Sequence, residues 1–149
     1  MSENKDPGIS IDLIRLIAAN IEVKNLNGKA EYSLRLVNFE RRESAEGRFL
    51  DVIAGFDMMC GVEAPVFTFT CTFIARYSRQ GDSAMEWKSF SSPLALAHIF
   101  PYLREFVSNI TNRLPVPVLL LPAYNTSSLL ADFAASHAEQ APFEAPKPV

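Results

Sequence analysis

The chain has 149 residues, enough for one domain with its own core, and 48% of them are apolar, including eleven phenylalanines. This composition argues against a disordered chain, and a net charge of −3 argues against a protein that grips nucleic-acid phosphates. Apolar runs are too short for a transmembrane helix, and residues 1–8 are too polar for a secretory signal. We therefore expect a cytoplasmic protein without stable membrane insertion.

The first half of the chain is dominated by alternating apolar residues. These patterns predict four β-strands, over about residues 16–25, 32–41, 49–60 and 66–78. The dipeptide Asn27-Gly28 predicts a turn after the first strand. In the second strand the apolar phase changes between Leu36 and Val37, which indicates a bulge or a strand covered on both faces.

The fourth predicted strand has the clearest alternation. One face carries mostly aromatic residues and should lie under helices: Phe67, Phe69, Cys71, Phe73, Ala75 and Tyr77. The other face is rich in threonine and could meet solvent or a second copy of the chain.

The second half predicts two helices joined by an arm. Ser92 can cap the first helix, and Pro101 predicts a kink or a fresh start within it. The prolines of residues 114–122 exclude a helix there and predict an extended apolar arm, which the sheet, a partner subunit or a ligand must cover. The second helix can be capped by Asn125, Thr126 or Ser127.

Strands followed by helices define an α+β fold. We predict a four-stranded antiparallel, meander-like sheet, with a long helix and a short C-terminal helix packed on one face. A single domain would span residues 9–140, between flexible tails at residues 1–8 and 141–149.

Residues suited to catalysis or metal binding are sparse. Cys60 and Cys71 lie in apolar segments without nearby histidines, which favours buried thiols over a metal site or disulfide. His98 sits beside apolar helix residues, and Asp51 and Asp57 are too far apart along one strand to act as a carboxylate pair. We expect neither an enzyme nor a cofactor.

Two runs carry a resemblance to a known family. The first reads Phe100-Pro101-Tyr102-Leu103-Arg104-Glu105, and the second reads Leu121-Pro122-Ala123-Tyr124-Asn125. They resemble the Phe-Pro-Tyr-x-Arg-Glu motif and the Leu-Ala-Pro-Val-Asn segment of the SecB export-chaperone family. The resemblance covers about residues 16–140, with the strands in the same order.

This resemblance implies a homotetrameric chaperone, a dimer of dimers that holds unfolded preproteins in hydrophobic grooves and passes them to the motor SecA. The implied groove residues are Leu34, Leu36, Trp87, Phe90, Leu129, Leu130 and Phe133. The matching motif residues, implied to be structural, are Phe100, Pro101, Tyr102, Arg104, Glu105, Pro122 and Asn125.

One departure bears on SecA. The family's docking face carries acids, whereas the matching positions here are Asn20, Lys24 and Thr72. Glu22 and Glu31 are close by but do not restore the pattern. The departure predicts weak or absent SecA coupling, and it favours the SecB-like proteins that hold an aggregation-prone antitoxin for a toxin–antitoxin system.

Three other interpretations remain open at this point. A thioesterase-like enzyme would use Asp51 or His98 as its base, and a carrier would hold a small apolar ligand in the same groove. A purely structural oligomer would bind neither a client nor a ligand.

Overall fold

The computed structural model describes residues 8–25, 31–61, 66–80, 86–116 and 118–140. The strands and helices of these residues are β1 (Ile9–Val23), β2 (Tyr32–Glu43), β3 (Phe49–Cys60), β4 (Phe67–Arg79), a 3-10 helix (Trp87–Ser89), α1 (Ser92–Arg113) and α2 (Thr126–Gln140). The predicted Asn27-Gly28 turn and the predicted tails, apart from Gly8, lie outside the described residues. Within those residues, neither helix is long and apolar enough to span a membrane.

The fold class is confirmed as α+β, with one antiparallel sheet whose strand order is β1-β4-β3-β2. The predicted meander holds for β2, β3 and β4 only. Strand β1 lies beside β4, because the chain passes from one edge of the sheet to the other between β1 and β2. The result is the strand order of a Greek key rather than of a continuous meander.

Bulges explain where the strand boundaries differ from the prediction. The β1–β4 register shifts between Ile11 and Leu13 and again between Leu16 and Ala18. Each shift inserts an extra residue and reverses the alternation of faces, so the N-terminal part of β1 lacks a simple period of two. The predicted irregularity in β2 is confirmed as a bulge at Val37.

The core lies between one face of the sheet and the two helices. It combines the even-numbered residues of β3 and the odd-numbered residues of β4 with the buried stripe of α1, formed by Ala95, Leu96, Ile99, Leu103 and Val107. Both cysteines are buried within it, as predicted, and they form no disulfide with each other. Burial raises the pKa of the Cys71 thiol to about 12.

Helix α1 differs from the prediction at two points. Its N-cap is Ser91, whose hydroxyl accepts from the backbone N–H of Leu94 at 3.3 Å. Ser92 is the first helical residue, and its Oγ accepts from Arg41 instead. The helix continues through Pro101 without a fresh start. Ile99 and Leu103, on either side of Pro101, are fully buried, and their packing offsets the lost hydrogen bond.

The arm between the helices runs antiparallel along one flank of α1. The backbone N–H of Leu119 donates to Thr111 Oγ1 at 2.9 Å, and the Tyr124 ring packs on Phe100 at 5.4 Å between centroids. Leu119 and Leu121 are buried, whereas Leu120 between them is 73% exposed. Helix α1 therefore covers the alternate residues of the arm, and the arm places α2 beside β2.

Candidate functional site

A groove lined by both apolar and polar side chains lies between strand β2 and helix α2. Its volume is about 270 Å³, and its lining residues are Leu34, Arg35, Leu36, Val37, Leu129, Asp132, Phe133, Ser136 and His137. That volume is below the roughly 300–1,000 Å³ of pockets that enclose drug-sized ligands. The groove is better suited to a few side chains than to a whole small molecule.

The groove lies at an open edge of the sheet, because β2 is the last strand in the order. Leu34 and Leu36 are on the face that packs under the helices, opposite Met58 and Phe56 of β3. Arg35 projects from the other face. A groove lined by both faces of β2 therefore wraps around the free edge of this strand.

Helix α2 supplies the second wall. Its lining residues are spaced by three or four positions, which places them on one side of the helix. Asn125 fixes the start of this helix, because its Oδ1 accepts from the backbone N–H of Ser128 at 3.2 Å. The ring of His137 packs on Phe133 at 3.9 Å between centroids, and its Nδ1 donates to the Phe133 carbonyl at 3.0 Å.

Charges at the groove are uneven. Arg35 is already paired with Asp57 at 2.7 Å on the outer face of the sheet. Asp132 of α2 is exposed at the rim and forms no ion pair with any residue that the structure describes. The groove thus combines apolar side chains on both walls with polar groups, among them one carboxylate at its margin.

The structure brings together four of the seven predicted groove residues: Leu34, Leu36, Leu129 and Phe133. Leu130 instead packs against the core. The prediction missed Arg35 and Val37, which reach the groove only because β2 is an edge strand with a bulge. It also missed Asp132, Ser136 and His137, although helical spacing from Leu129 could have identified them.

Trp87 and Phe90 do not line this groove, which corrects the prediction that they form one of its walls. Both side chains are buried in the core, where Trp87 meets Phe90 edge-on at 6.1 Å. Phe90 also packs on Tyr77 at 4.6 Å. Large aromatic rings with this many apolar neighbours gain more from core burial than from a surface position.

The motif residues divide between structural contacts and open surface. Arg104 donates from Nε to the Leu121 carbonyl at 2.8 Å and ties the arm to α1, while Phe100 packs on the arm as described above. The remaining motif residues, Pro101, Tyr102, Glu105 and Pro122, are exposed.

The residues considered for catalysis are separated by the sheet. Arg76 binds Asp51 with two hydrogen bonds, at 2.7 and 2.9 Å, on the outer face. His98 lies on the inner face, 3.0 Å from the Tyr77 hydroxyl. Asp51 and His98 therefore do not share a site. In the part of the chain that the structure describes, no cluster of His, Cys, Asp and Glu is suited to hold a metal.

The outer face of the sheet brings together the residues that stand where the SecB family has its SecA-docking acids. Asn20 pairs with Thr70, beside Thr72, on the face turned away from the helices. Glu22, on the same face, is bound by Lys24 at 2.8 Å. This surface therefore presents hydroxyls, an amide and a neutralised carboxylate in place of a row of acids.

The opposite edge of the sheet, formed by β1, also carries exposed apolar side chains. Its exposed large side chains are Ile11, Leu16, Ile17 and Val23. An open strand edge with such side chains is a typical site for pairing with another chain.

Comparisons with known proteins support the fold. No family model and no curated protein matches the sequence. Among solved structures, the SecB-like chaperone Rv1957 of Mycobacterium tuberculosis superposes with a TM-score of 0.68 at 20% identity. It covers 78% of this chain and 90% of its own, and it was solved in complex with a ChAD peptide from the Rv1956 HigA1 antitoxin. A protein of unknown function from Streptococcus agalactiae matches with a TM-score of 0.47, at 13% identity over 77% of this chain and 97% of its own. The chain thus has the SecB-like fold.

Proposed function

We propose that this protein is a SecB-like holdase, a chaperone without enzymatic activity that binds unfolded polypeptides in the groove between β2 and α2. The observation that carries this proposal is an open groove in a SecB-like fold, whose lining includes the apolar side chains of Leu34, Leu36, Leu129 and Phe133. We further propose that Leu130, whose side chain now packs on the core, contributes only by positioning α2. A cytoplasmic location fits this function.

The energetics of such a groove suit promiscuous, weak binding. A client leucine or phenylalanine that becomes buried contributes about 1.5–3 kcal/mol. Ordering a flexible client opposes this gain by several kcal/mol, so one short segment should bind weakly. A long client that engages several grooves should bind much more tightly.

An antitoxin or another specialised client is favoured over general export. The solved complex of the similar chaperone contains an antitoxin peptide. Asn20, Thr72 and the Lys24–Glu22 pair leave the outer face with little negative charge to attract a partner that needs acids. We therefore propose that coupling to SecA is weak or absent.

Assembly would place several grooves in one particle. We propose a dimer of dimers, in which the exposed isoleucines of β1 contact another subunit. The β1 edge lies on the side of the sheet opposite to the groove, so assembly there leaves the groove open.

A scattering experiment tests the proposal directly. We expect a particle of two or four subunits to gain the mass of one denatured, slowly folding client and to suppress its aggregation. The double variant Leu34→Ser/Phe133→Ser should weaken client binding by at least about tenfold, because two apolar contacts are lost.

The matched control is Leu94→Ser on α1, which replaces a leucine that is 46% exposed and does not line the groove. Client binding by this control should equal that of the unchanged protein. If the groove variant and the control bind the client equally well, or if no client binds at all, the proposal is wrong. A small molecule found by native mass spectrometry would instead support the carrier.

A further inference from the structure

The backbone of β2 faces the groove with hydrogen-bonding groups that β3 does not use. The N–H of Gly61 donates to the carbonyl of Glu31, and the register then pairs Tyr32 with Cys60 and Leu34 with Met58. In an antiparallel ladder, hydrogen-bonded pairs alternate with pairs whose N–H and C=O groups point away. Because the Glu31–Gly61 pair is hydrogen-bonded, the groups of Tyr32, Leu34 and Leu36 point away from β3, towards the free edge.

Leu34 and Leu36 therefore contribute to the groove through both their side chains and their backbone groups. Their side chains line its inner wall, opposite Leu129 and Phe133 of α2. Their N–H and C=O groups point to the place where a neighbouring strand would lie, roughly 4.8 Å away. Apolar walls and free backbone groups thus converge on the same short stretch of β2.

We propose that a client binds as a fifth strand, paired edge to edge with β2 from Tyr32 to the bulge at Val37. This inference rests on the proposed function and specifies how the groove recognises its client. Every second side chain of the added strand would enter the groove between β2 and α2, and the others would face the outer side. The bulge at Val37 interrupts the regular edge and limits the paired stretch to about five residues.

The negative charge of Asp132 at the rim of the groove favours a client with a nearby positive charge. Asp132 has no cationic partner among the described residues, whereas Arg35 is held by Asp57. A lysine or arginine next to the apolar residues of the client would complement this carboxylate. A second copy of the chain suits the edge less well, because it would bring another Asp132 to the same rim.

Peptides with methylated backbone nitrogens test this pairing. The probe is a synthetic peptide of about ten residues in which leucine or valine alternates with serine, ending in one lysine. One version carries N-methyl groups on the leucine and valine residues, and the other carries them on the serines. Composition and flexibility are thus matched, and only the blocked edge of the strand differs.

We expect one methylated version to lose at least about tenfold in affinity while the other binds like the parent, because only one set of N–H groups faces β2. If methylation of the leucine and valine residues lowers the affinity, the peptide adds antiparallel to β2. If methylation of the serines lowers the affinity, the peptide adds parallel to β2. Equal affinities of the two versions would contradict strand addition.

Amide hydrogen exchange provides a second readout on the protein. The parent peptide should slow exchange at the amides of Leu34 and Leu36 by at least about tenfold. The amides of Ser33 and Arg35 already bond to β3 and should change little.

The two proposals fail in different ways. Binding of the parent peptide that is sensitive to Leu34→Ser, without protection of these two amides, would overturn strand addition and leave the holdase intact. No binding of this peptide or of a denatured protein would overturn both. A change in subunit number caused by Leu34→Ser would assign the edge to a second copy and also overturn the inference.

Discussion

The indole nitrogen of Trp87 donates a 2.7 Å hydrogen bond to the carbonyl oxygen of Gly47, in the turn between β2 and β3. The Arg79 guanidinium lies over the same indole ring, 4.9 Å from its centroid. This bond joins the segment before α1 to one end of the sheet. The turn itself depends on Gly47, whose φ of +69° favours glycine.

We predict that Trp87→Phe lowers the free energy of unfolding by about 1–3 kcal/mol, because it leaves the half-buried Gly47 carbonyl without its donor. Client affinity should not change, because the indole lies in the core rather than in the groove. Urea unfolding and client titration measure the two effects separately. A variant of normal stability that binds clients poorly would place Trp87 in the binding surface after all.

Gly47→Ala should destabilise the protein by about 1 kcal/mol, because a residue with a Cβ is strained at this positive φ. No atom lies within 4 Å of the position that the Cβ would occupy, so a clash cannot explain such a loss. Gly47→Asn is the matched comparison, because asparagine tolerates this conformation better and should cost less. Equal unfolding free energies for the two variants would contradict a conformational origin.

Arg104→Ala should lower stability by about 1 kcal/mol, because the Leu121 carbonyl loses its side-chain donor and the arm is less firmly held. Exchange at the Leu119 amide should accelerate, since this amide binds Thr111 on the same flank. The neighbouring Glu105→Ala, on the exposed side of α1, should change stability by less than about 0.5 kcal/mol. Unaltered exchange along the arm in Arg104→Ala would show that apolar packing alone holds it.

The burial of Tyr77 and His98 predicts a defined pH range of maximum stability. Desolvation lowers the pKa of His98 below its usual range, and burial raises the pKa of Tyr77 to about 12. The contribution of His98 is therefore complete above about pH 6.5 and lost as the pH falls below it. The contribution of Tyr77 is complete below about pH 10 and lost as the pH rises towards 12.

Urea unfolding over a pH series measures both losses of stability, the acid limb below about pH 6.5 and the alkaline limb above about pH 10. His98→Gln should flatten the acid limb and leave the alkaline limb in place. An acid limb of unchanged slope in this variant would assign the acid loss to other groups.

Local patterns were sufficient to predict much of this fold. The bounds of β3 agree with the prediction, and β4 is displaced by one residue, because both strands alternate without interruption. Strand β1 was predicted too short because its bulges reverse the alternation. The position of β1 beside β4 depends on pairing between distant parts of the chain, which no local pattern contains.

The family resemblance implied Leu34 and Phe133 as groove residues, and the structure places both in the groove between β2 and α2. The candidate site was misplaced at Trp87 and Phe90, since an aromatic residue in a loop gives no local indication of whether it enters the core. The contribution of Arg35 and Asp132 to the groove could be recognised only once β2 was known to be an edge strand packed against α2.

The passage of the chain across the sheet between β1 and β2 has a consequence for how an assembly of several subunits binds its clients. It leaves the two inner strands, β4 and β3, as a spacer between the two open edges. If subunits join through β1 and clients bind at β2, loading does not compete with assembly. Each subunit would then contribute one groove, and the number of grooves that a single long client can engage would rise with the number of subunits in the particle.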